Sequence, residues 1–421
     1  MALKVFDTLA GRKVRFEPGT PGRVRMFVCG PTVYDYMHLG HARTYLPYDI
    51  MARYLASKGY RVRFIVNITD IDDKVFERAE QEGVPHDLLS GRYVRAFQED
   101  MRQLGIDSVT DFPRASGHIE EVIRQVRGLL ERGYAYPSDG NVYFDTSKVQ
   151  DYGKLSHQTK VELKLKRLDL DPAKRNQEDF VLWGTKDVKE PTWPSPFGRG
   201  RPGWHIEDTA ISISVFGPQY DIHGGAEELI YPHHEAEIAQ AESYTGVKPF
   251  VKHWLHTGLL FVDGRKMSKS FGNYITVKES LARYGSDVLR IEFASHRYRD
   301  AVDFGEGELK AAERKVQLLQ NALHRLEDAS SSSYSGENRI LTNALGKLER
   351  GFSRALDDDF DTPTAVRNLV SFAGLVNRST DSQLRKGMQP TILPSFFSLA
   401  SIIGILRRST PKIALEAPRP P

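Results

Sequence analysis

The chain has little cysteine, no long apolar run and little net charge. Cys29 is its single cysteine, which excludes an internal disulfide framework and fits a reducing compartment. No apolar run approaches the roughly 18 residues of a membrane span. Residues 1–7 also lack the apolar segment of a signal peptide. These absences predict a cytoplasmic protein with no membrane contact. The formal net charge of +3 permits a nucleic-acid partner without requiring one.

A length of 421 residues exceeds what one hydrophobic core usually organises, so we expect more than one domain. Strand-like residues 24–29 and 60–67 enclose a helix-like segment at 42–58, which predicts a βαβ unit and a Rossmann-like parallel sheet of the α/β class. The predicted organisation comprises a catalytic domain at 1–246 with an insertion at about 107–201, a connective region at 247–300, an α-helical bundle at 301–408 and a disordered tail at 409–421.

The first chemically informative segment holds His38, Gly40 and His41 between the predicted strand and helix. Turns of this kind bind phosphate in α/β sheets, because free N–H groups and the helix dipole attract anions. Gly40 would let the backbone approach an adenine ring, and the two imidazoles would donate to the α-phosphate of a nucleotide. Taken alone, the pattern is equally compatible with an ordinary surface turn.

The second segment is a basic, serine-containing loop that carries Lys266 and Lys269. Such a loop can close over a triphosphate, where the ammonium groups would stabilise pyrophosphate as it leaves. A solvated basic loop is the alternative interpretation. The occurrence of the lysines downstream of the histidine turn, after the apolar residues 258–262, favours a shared nucleotide site.

A third group of residues has metal-binding chemistry. His233 and Glu237 are four residues apart, hence on one face of a helix, as metal ligands require. Cys29 ends the first predicted strand beside the histidine turn, and Asp208 could supply a fourth ligand. Together these residues predict a zinc site. The alternative is that they are buried core residues and helix caps.

Several longer motifs resemble cysteinyl-tRNA synthetase, a class I aminoacyl-tRNA synthetase. The motifs are FVCGPTVYD at 27–35, NITDIDDK at 67–74, GWHIE at 203–207, DIHGG at 221–225 and PHHE at 232–235. The segment DDDFDTP at 357–363 resembles the helical domain that follows in that family. The resemblance implies that the chain uses Mg²⁺ with ATP and joins cysteine to tRNA(Cys).

The same resemblance implies roles for individual residues. His38, His41, Lys266 and Lys269 would be catalytic, and these four with Gly40 and His223 would contact ATP. Thr69 and Trp204 would line the amino-acid pocket. The zinc ligands would be Cys29, Asp208, His233 and Glu237. The charge pattern, rather than the resemblance, singles out six basic residues that either meet tRNA phosphates or form a solvated helix face: Arg297, Arg299, Lys310, Arg314, Lys315 and Arg325.

The sequence departs from the family pattern in two places. Asp208 stands where the family has a zinc-binding cysteine, so formal charge is kept but the donor becomes harder. The chain also stops soon after the helical region. Three alternatives therefore stay open: a tRNA-independent ligase resembling the cysteine ligase of the mycothiol pathway, a paralogue for another amino acid, and a catalytically silent paralogue. Either a monomer or a dimer is compatible with the sequence.

Overall fold

The computed structural model describes residues 2–159, 162, 171–186, 188, 190–267, 273–330, 339–387 and 391–407. The strands are β1 (Lys4–Asp7), β2 (Arg12–Arg15), β3 (Arg23–Val28), β4 (Arg61–Val66), β5 (Ala135–Ser138), β6 (Asn141–Phe144), β7 (Phe180–Gly184), β8 (Arg201–Pro202), β9 (Tyr220–Ala226), β10 (Val251–Thr257), β11 (Leu260–Val262), β12 (Arg265–Lys266) and β13 (Val302–Phe304). The helices are α1 (Leu39–Ser57), α2 (Asp73–Glu82), α3 (His86–Leu104), α4 (Ile119–Glu131), α5 (Trp204–Phe216), α6 (Glu235–Thr245), α7 (Val277–Tyr284), α8 (Ser286–Ala294), α9 (Glu306–Ser330), α10 (Arg339–Leu356), α11 (Thr362–Arg378), α12 (Asp381–Gly387) and α13 (Ile392–Ile403).

A four-stranded parallel sheet in the order β10-β9-β3-β4 organises the first half of the chain. Val28 at the end of β3 pairs with Val66 on one side and Gly224 on the other. The inner residues of β3 and β4 are apolar and buried, as expected for a parallel sheet covered on both faces. The predicted Rossmann-like sheet is confirmed, and β10 extends it past residue 246.

Helix α1 links β3 to β4 and completes the predicted βαβ unit. It begins at Leu39, three residues before the predicted start, and most of its length is buried. A helix that is apolar on most of its surface belongs in the interior of a domain. Its first turn therefore holds the His38–His41 segment firmly at the carboxyl end of the sheet.

Between β4 and β9 lies a smaller unit with its own apolar core. Strands β5, β6, β7 and β8 form an antiparallel sheet in that order, and α4 packs nearby. Val126, Phe144 and Trp183 belong to the apolar cluster of this unit. The unit reaches the main sheet through α5, which carries Asp208.

The C-terminal region is helical, as predicted from its apolar periodicity. Helices α9 and α10 pack against α11, and α13 contacts α1. The residues predicted to be a disordered tail, 409–421, lie outside the described part of the chain. Within the described part, no helix combines the length and the apolar character needed to cross a membrane.

Candidate active site

The histidine turn lies at the N-terminus of α1. The N–H of His38 donates to Nδ1 of His41 at 3.3 Å, and the two rings stack with centroids 3.8 Å apart. Burial lowers the pKa of His38 to about 4. Burial, and to a lesser degree the neighbouring His38, also lower the pKa of His41. Both rings are therefore neutral at physiological pH and present N–H donors rather than full charges.

The chain on both sides of the lysine segment contacts this turn. The N–H of Leu39 donates to the carbonyl of Ile275 at 3.0 Å, and the N–H of Val277 donates to the carbonyl of Met37 at 2.9 Å. A Cβ added at Gly40 would lie 2.8 Å from Cε1 of His38 and 3.5 Å from Cε of Met267. The described residues on either side of the lysine segment, Met267 and Ile275–Val277, therefore lie against the histidine turn.

Of the two predicted lysines, the structure describes the backbone of Lys266. Lys266 is the last residue of β12, where it pairs with Phe261, and it directly precedes Met267. Lys269 lies outside the described residues. Met267, the neighbour of Lys266, thus reaches the histidine turn through its side chain, and the positions of the two lysine ammonium groups stay predictions.

The four predicted metal ligands converge on one buried point. Sγ of Cys29 lies 2.9 Å from Oδ2 of Asp208 and 3.8 Å from Oε1 of Glu237. Nε2 of His233 lies 3.2 Å from Oδ2 of Asp208 and 3.1 Å from Oε1 of Glu237. One donor atom from each residue lies within 4.8 Å of all the others. The donor set thus combines Cys29 after β3, Asp208 on α5, His233 in the short segment before α6 and Glu237 on α6.

The electrostatics of this cluster fit a cation. Burial raises the pKa of the Cys29 thiol, and the charges of Asp208 and Glu237 raise it further. Burial raises the pKa of Glu237, and the charge of Asp208 raises it further. Oε2 of Glu237 is buried and has no hydrogen-bond partner among the described residues. Three acidic groups crowded around one imidazole are the donor set that a divalent metal balances.

A second row of imidazoles lies behind the cluster and was not predicted as a metal site. Nε2 of His234 is 3.1 Å from Sγ of Cys29, and Nε2 of His223 is 3.6 Å from it. Nδ1 of His234 contacts Nε2 of His256 at 2.8 Å, and Tyr220 contacts Nδ1 of His223. Cys29, His223, His234 and Glu237 form an alternative donor set. His234 is part of the motif PHHE, but the sequence alone does not show that its ring lies beside Cys29.

Strand register sets the position of His223. Strand β9 pairs with β3 so that His223 lies opposite Phe27, and its Nε2 is 3.6 Å from Sγ of Cys29. The expected contact of His223 with ATP stays a prediction. Its described ring contacts are with the imidazole row and with aromatic residues, not with His38 or His41. The register of the parallel strands decides this placement.

The two predicted pocket residues border the donor set. The ring of Trp204 stacks on His233 with centroids 4.3 Å apart, and 46% of Trp204 is exposed. Thr69 is buried, and its N–H donates to the carbonyl of Pro31 at 3.1 Å, two residues beyond Cys29. Tyr45, one turn after His41, donates to the carbonyl of Cys29 at 3.2 Å. The histidine turn and the donor set are therefore joined directly.

Several of the basic residues expected to meet tRNA are used within the protein. Arg325 donates to the carbonyls of Val376 and Asn377 at 2.9 and 2.6 Å. The half-buried guanidinium of Arg299 pairs with the buried carboxylate of Asp359 at 2.9 Å. These contacts leave fewer guanidinium N–H groups of the two arginines for binding phosphate. For these two residues the structure favours an intramolecular role over the expected one.

A parallel sheet whose carboxyl edge carries a His-x-Gly-His turn is the fold and motif of a class I aminoacyl-tRNA synthetase. The sequence profile described as "tRNA synthetases class I (C) catalytic domain" matches residues 15–314. The methionyl-tRNA synthetase of Mycobacterium tuberculosis, in complex with methionyl-adenylate, has the same fold, with a TM-score of 0.67 at 17% identity over 90% of this chain and 89% of that one. The LeuRS of Agrobacterium radiobacter K84, in a ternary complex with tRNA and LeuAMS, gives 0.65 at 11% identity over 93% and 86%.

Curated relatives of higher sequence identity indicate the amino-acid family within this class. A cysteine–tRNA ligase of Geotalea uraniireducens (strain Rf4) is 43% identical over 391 residues, which are 90% of this chain and 79% of the relative. A cysteine–tRNA ligase of Thermococcus onnurineus (strain NA1) is 41% identical over 415 residues, 95% of this chain and 86% of the relative. The chain belongs to the cysteine–tRNA ligase family and is an ATP-dependent ligase of class I.

Proposed function

We propose that the chain activates cysteine with Mg-ATP and transfers it to tRNA(Cys). In the first step an oxygen of the cysteine carboxylate attacks the α-phosphorus, and the bond to the β-phosphate oxygen breaks to release pyrophosphate. In the second step a hydroxyl of the terminal tRNA ribose attacks the carbonyl carbon of the cysteinyl-adenylate, loses its proton and displaces AMP. The observation that carries the proposal is the junction of the donor set with the histidine turn through Tyr45.

The chain's own residues act on the phosphates mainly through electrostatics. His38 and His41 donate N–H groups to the α-phosphate as its charge grows, and Gly40 leaves room for the nucleotide beside them. Lys266 and Lys269 neutralise the leaving pyrophosphate. Because the first turn of α1 is fixed before substrate arrives, these donors require little reorganisation.

The donor set fits zinc, with Cys29, Asp208, His233 and Glu237 as the four ligands. Zinc, when bound, supplies a soft acceptor for sulfur, a preference that separates cysteine from serine better than a plain pocket does. The stacked Trp204 and the buried Thr69 bound the space beside this point and orient the amino acid. Asp208 keeps the formal charge of a thiolate but makes the set harder.

Amino-acid-dependent exchange of pyrophosphate into ATP, followed by charging of tRNA, tests the proposal. We expect exchange with cysteine and not with serine, and formation of cysteinyl-tRNA(Cys). His41→Asn should lower the exchange rate by roughly 100-fold to 1000-fold, because one preorganised donor is lost. His324→Asn, at a side chain that is 73% exposed, is the matched control and should leave the rate unchanged.

Other results would contradict specific parts of this proposal. Exchange with a different amino acid would overturn the choice of cysteine. Exchange with cysteine but transfer only to a small amine would support a tRNA-independent ligase. No exchange with any amino acid would identify a silent paralogue.

A further inference from the structure

Asn67 connects two of the segments that carry the donor set, and no role for it follows from the sequence motifs. It is fully buried and lies one residue past the end of β4. Its Nδ2 donates to Oδ1 of Asp208 at 2.6 Å, and its Oδ1 accepts from the N–H of Gly30 at 2.7 Å. Because a backbone N–H can only donate, the contact with Gly30 fixes which end of the amide faces Asp208.

The backbone around Asn67 cannot easily shift. A Cβ added at Gly30 would lie 1.4 Å from the carbonyl oxygen of Asn67, so the ends of β3 and β4 approach as closely as glycine allows. Cys29 directly precedes this point. The amide of Asn67 is therefore held in one place relative to the sulfur of Cys29.

Because of the hydrogen bond from Asn67, the two carboxylate oxygens of Asp208 have different partners. Oδ1 is occupied by the amide, whereas Oδ2 points at Sγ of Cys29 and Nε2 of His233, 2.9 and 3.2 Å away. A free carboxylate can bind a metal through both oxygens, which raises the coordination number. A cysteine, by contrast, offers a single sulfur atom.

We propose that Asn67 is a positioning residue that makes Asp208 a one-oxygen ligand, and so lets an aspartate serve where the family resemblance implies a cysteine. The inference rests on the proposed metal-binding role of the donor set. Partners that hold the other atom of a metal ligand typically affect metal affinity by about 10-fold to 100-fold. Asn67 should therefore affect metal affinity when residue 208 is aspartate. It should affect metal affinity much less when residue 208 is cysteine, because cysteine has a single donor atom.

A double-mutant cycle on the full chain tests this coupling. Metal-free wild type, Asn67→Leu, Asp208→Cys and the double variant are titrated with Co²⁺, and with Zn²⁺ in competition with a chromophoric chelator. Leucine has similar volume but no donor. We expect Asn67→Leu to weaken metal binding about 10-fold to 100-fold when residue 208 is aspartate, and no more than about 3-fold when it is cysteine.

The Co²⁺ spectrum gives a readout that general destabilisation would not produce. We expect the thiolate charge-transfer band of the wild type to match one sulfur ligand, and that of Asp208→Cys to be about twice as intense. In Asn67→Leu the visible bands should weaken, because coordination through both carboxylate oxygens raises the coordination number. Gln125→Leu is the matched control, since its buried amide donates to Thr209, the neighbour of Asp208, at 3.0 Å. It should leave metal affinity unchanged.

The outcomes separate this inference from the proposed function. If the wild type takes up neither metal, the metal-binding part of the proposed function fails and this inference with it. If it binds metal but Asn67→Leu weakens binding equally with aspartate and with cysteine, the inference alone is wrong and Asn67 acts through Gly30. If Asp208→Ala leaves metal affinity unchanged, the metal is held by His223 and His234 instead, which also overturns the inference. Asn67→Ala serves the same cycle if the leucine variant does not fold.

Discussion

At the scale of single residues, burial decides the charge state of the histidine turn. His38 and His41 are neutral because their rings are desolvated, although a protonated ring would attract phosphate more strongly. Neutral imidazoles still donate one hydrogen bond each, and they do so without the cost of holding a buried charge. The turn is therefore a preorganised set of dipoles rather than a fixed positive site.

The lowered pKa of His38 predicts a contribution to pH-dependent stability. Between its ordinary pKa of 6.5 and about 4, the unfolded chain binds a proton that the folded protein excludes, so the free energy of unfolding falls as pH falls through this window. His38→Gln should reduce that slope by up to about 1.4 kcal/mol per pH unit. Urea unfolding of both proteins from pH 7 to 5 measures it. Equal slopes would contradict the assignment, and His324→Gln should match the wild type.

At the scale of elements, a capping interaction at the N-terminus of α7 fixes the residues that follow the lysine segment. Oγ1 of Thr276 accepts from the N–H of Glu279 at 3.2 Å, and Oε2 of Glu279 accepts from the N–H of Thr276 at 3.1 Å. This reciprocal cap fixes the residues on either side, Ile275 and Val277, which pair with the histidine turn. The cap thus positions one signature against the other.

Loss of this cap should loosen the start of α7. Thr276→Ala should cost about 1 kcal/mol of helix stability, whereas Thr276→Ser keeps the oxygen and should cost much less. Faster hydrogen exchange at the first amides of α7 measures the effect directly. We also expect a higher KM for ATP in pyrophosphate exchange, because the turn loses part of its support. Unchanged exchange rates in the alanine variant would show that other contacts hold the segment.

At the scale of the whole molecule, one buried ion pair joins three regions. The guanidinium of Arg290 on α8 pairs with Asp49 on α1, and both side chains are fully buried. Arg290 also donates to the carbonyls of Ile403 at 2.8 Å and Leu104 at 3.0 Å. The helix that begins at the histidine turn is therefore tied to the C-terminal helices and to the end of α3.

Removal of Arg290 should destabilise the whole fold. Among the described residues, Arg290→Met leaves the carboxylate of Asp49 with Arg53, 2.8 Å away, as its one ion-pair partner. The change also removes a donor from the carbonyls of Leu104, Gly105 and Ile403. We expect a loss of about 3–5 kcal/mol, seen as a lower melting temperature and denaturation midpoint. Arg283→Met is the matched control, since its pair with Glu306 is more than 60% exposed on both sides. The control should change stability by about 0–1 kcal/mol.

Much of the fold could be predicted from the apolar pattern, because helix and strand periods are local properties of the chain. The ends of β3 and β4 fall within one residue of the predicted positions, 24–29 and 60–67. The start of α1 was missed, since Gly40 and His41 interrupt the apolar period although the helix continues through them. His38, His41 and Cys29 were identified from motifs whose chemistry depends on residues close in sequence.

By itself, the sequence determined the βαβ order, the histidine turn and the identities of the donor residues. Only the tertiary structure decided which donors meet: Asp208 faces Cys29, His223 lies 3.6 Å from Cys29, and Asn67 joins the end of β4 to α5. The reason is physical. The sequence fixes the type of each side chain, and the apolar pattern of neighbouring residues indicates helix or strand. The contacts of a side chain depend instead on strand register, which is set by packing between segments far apart in the chain.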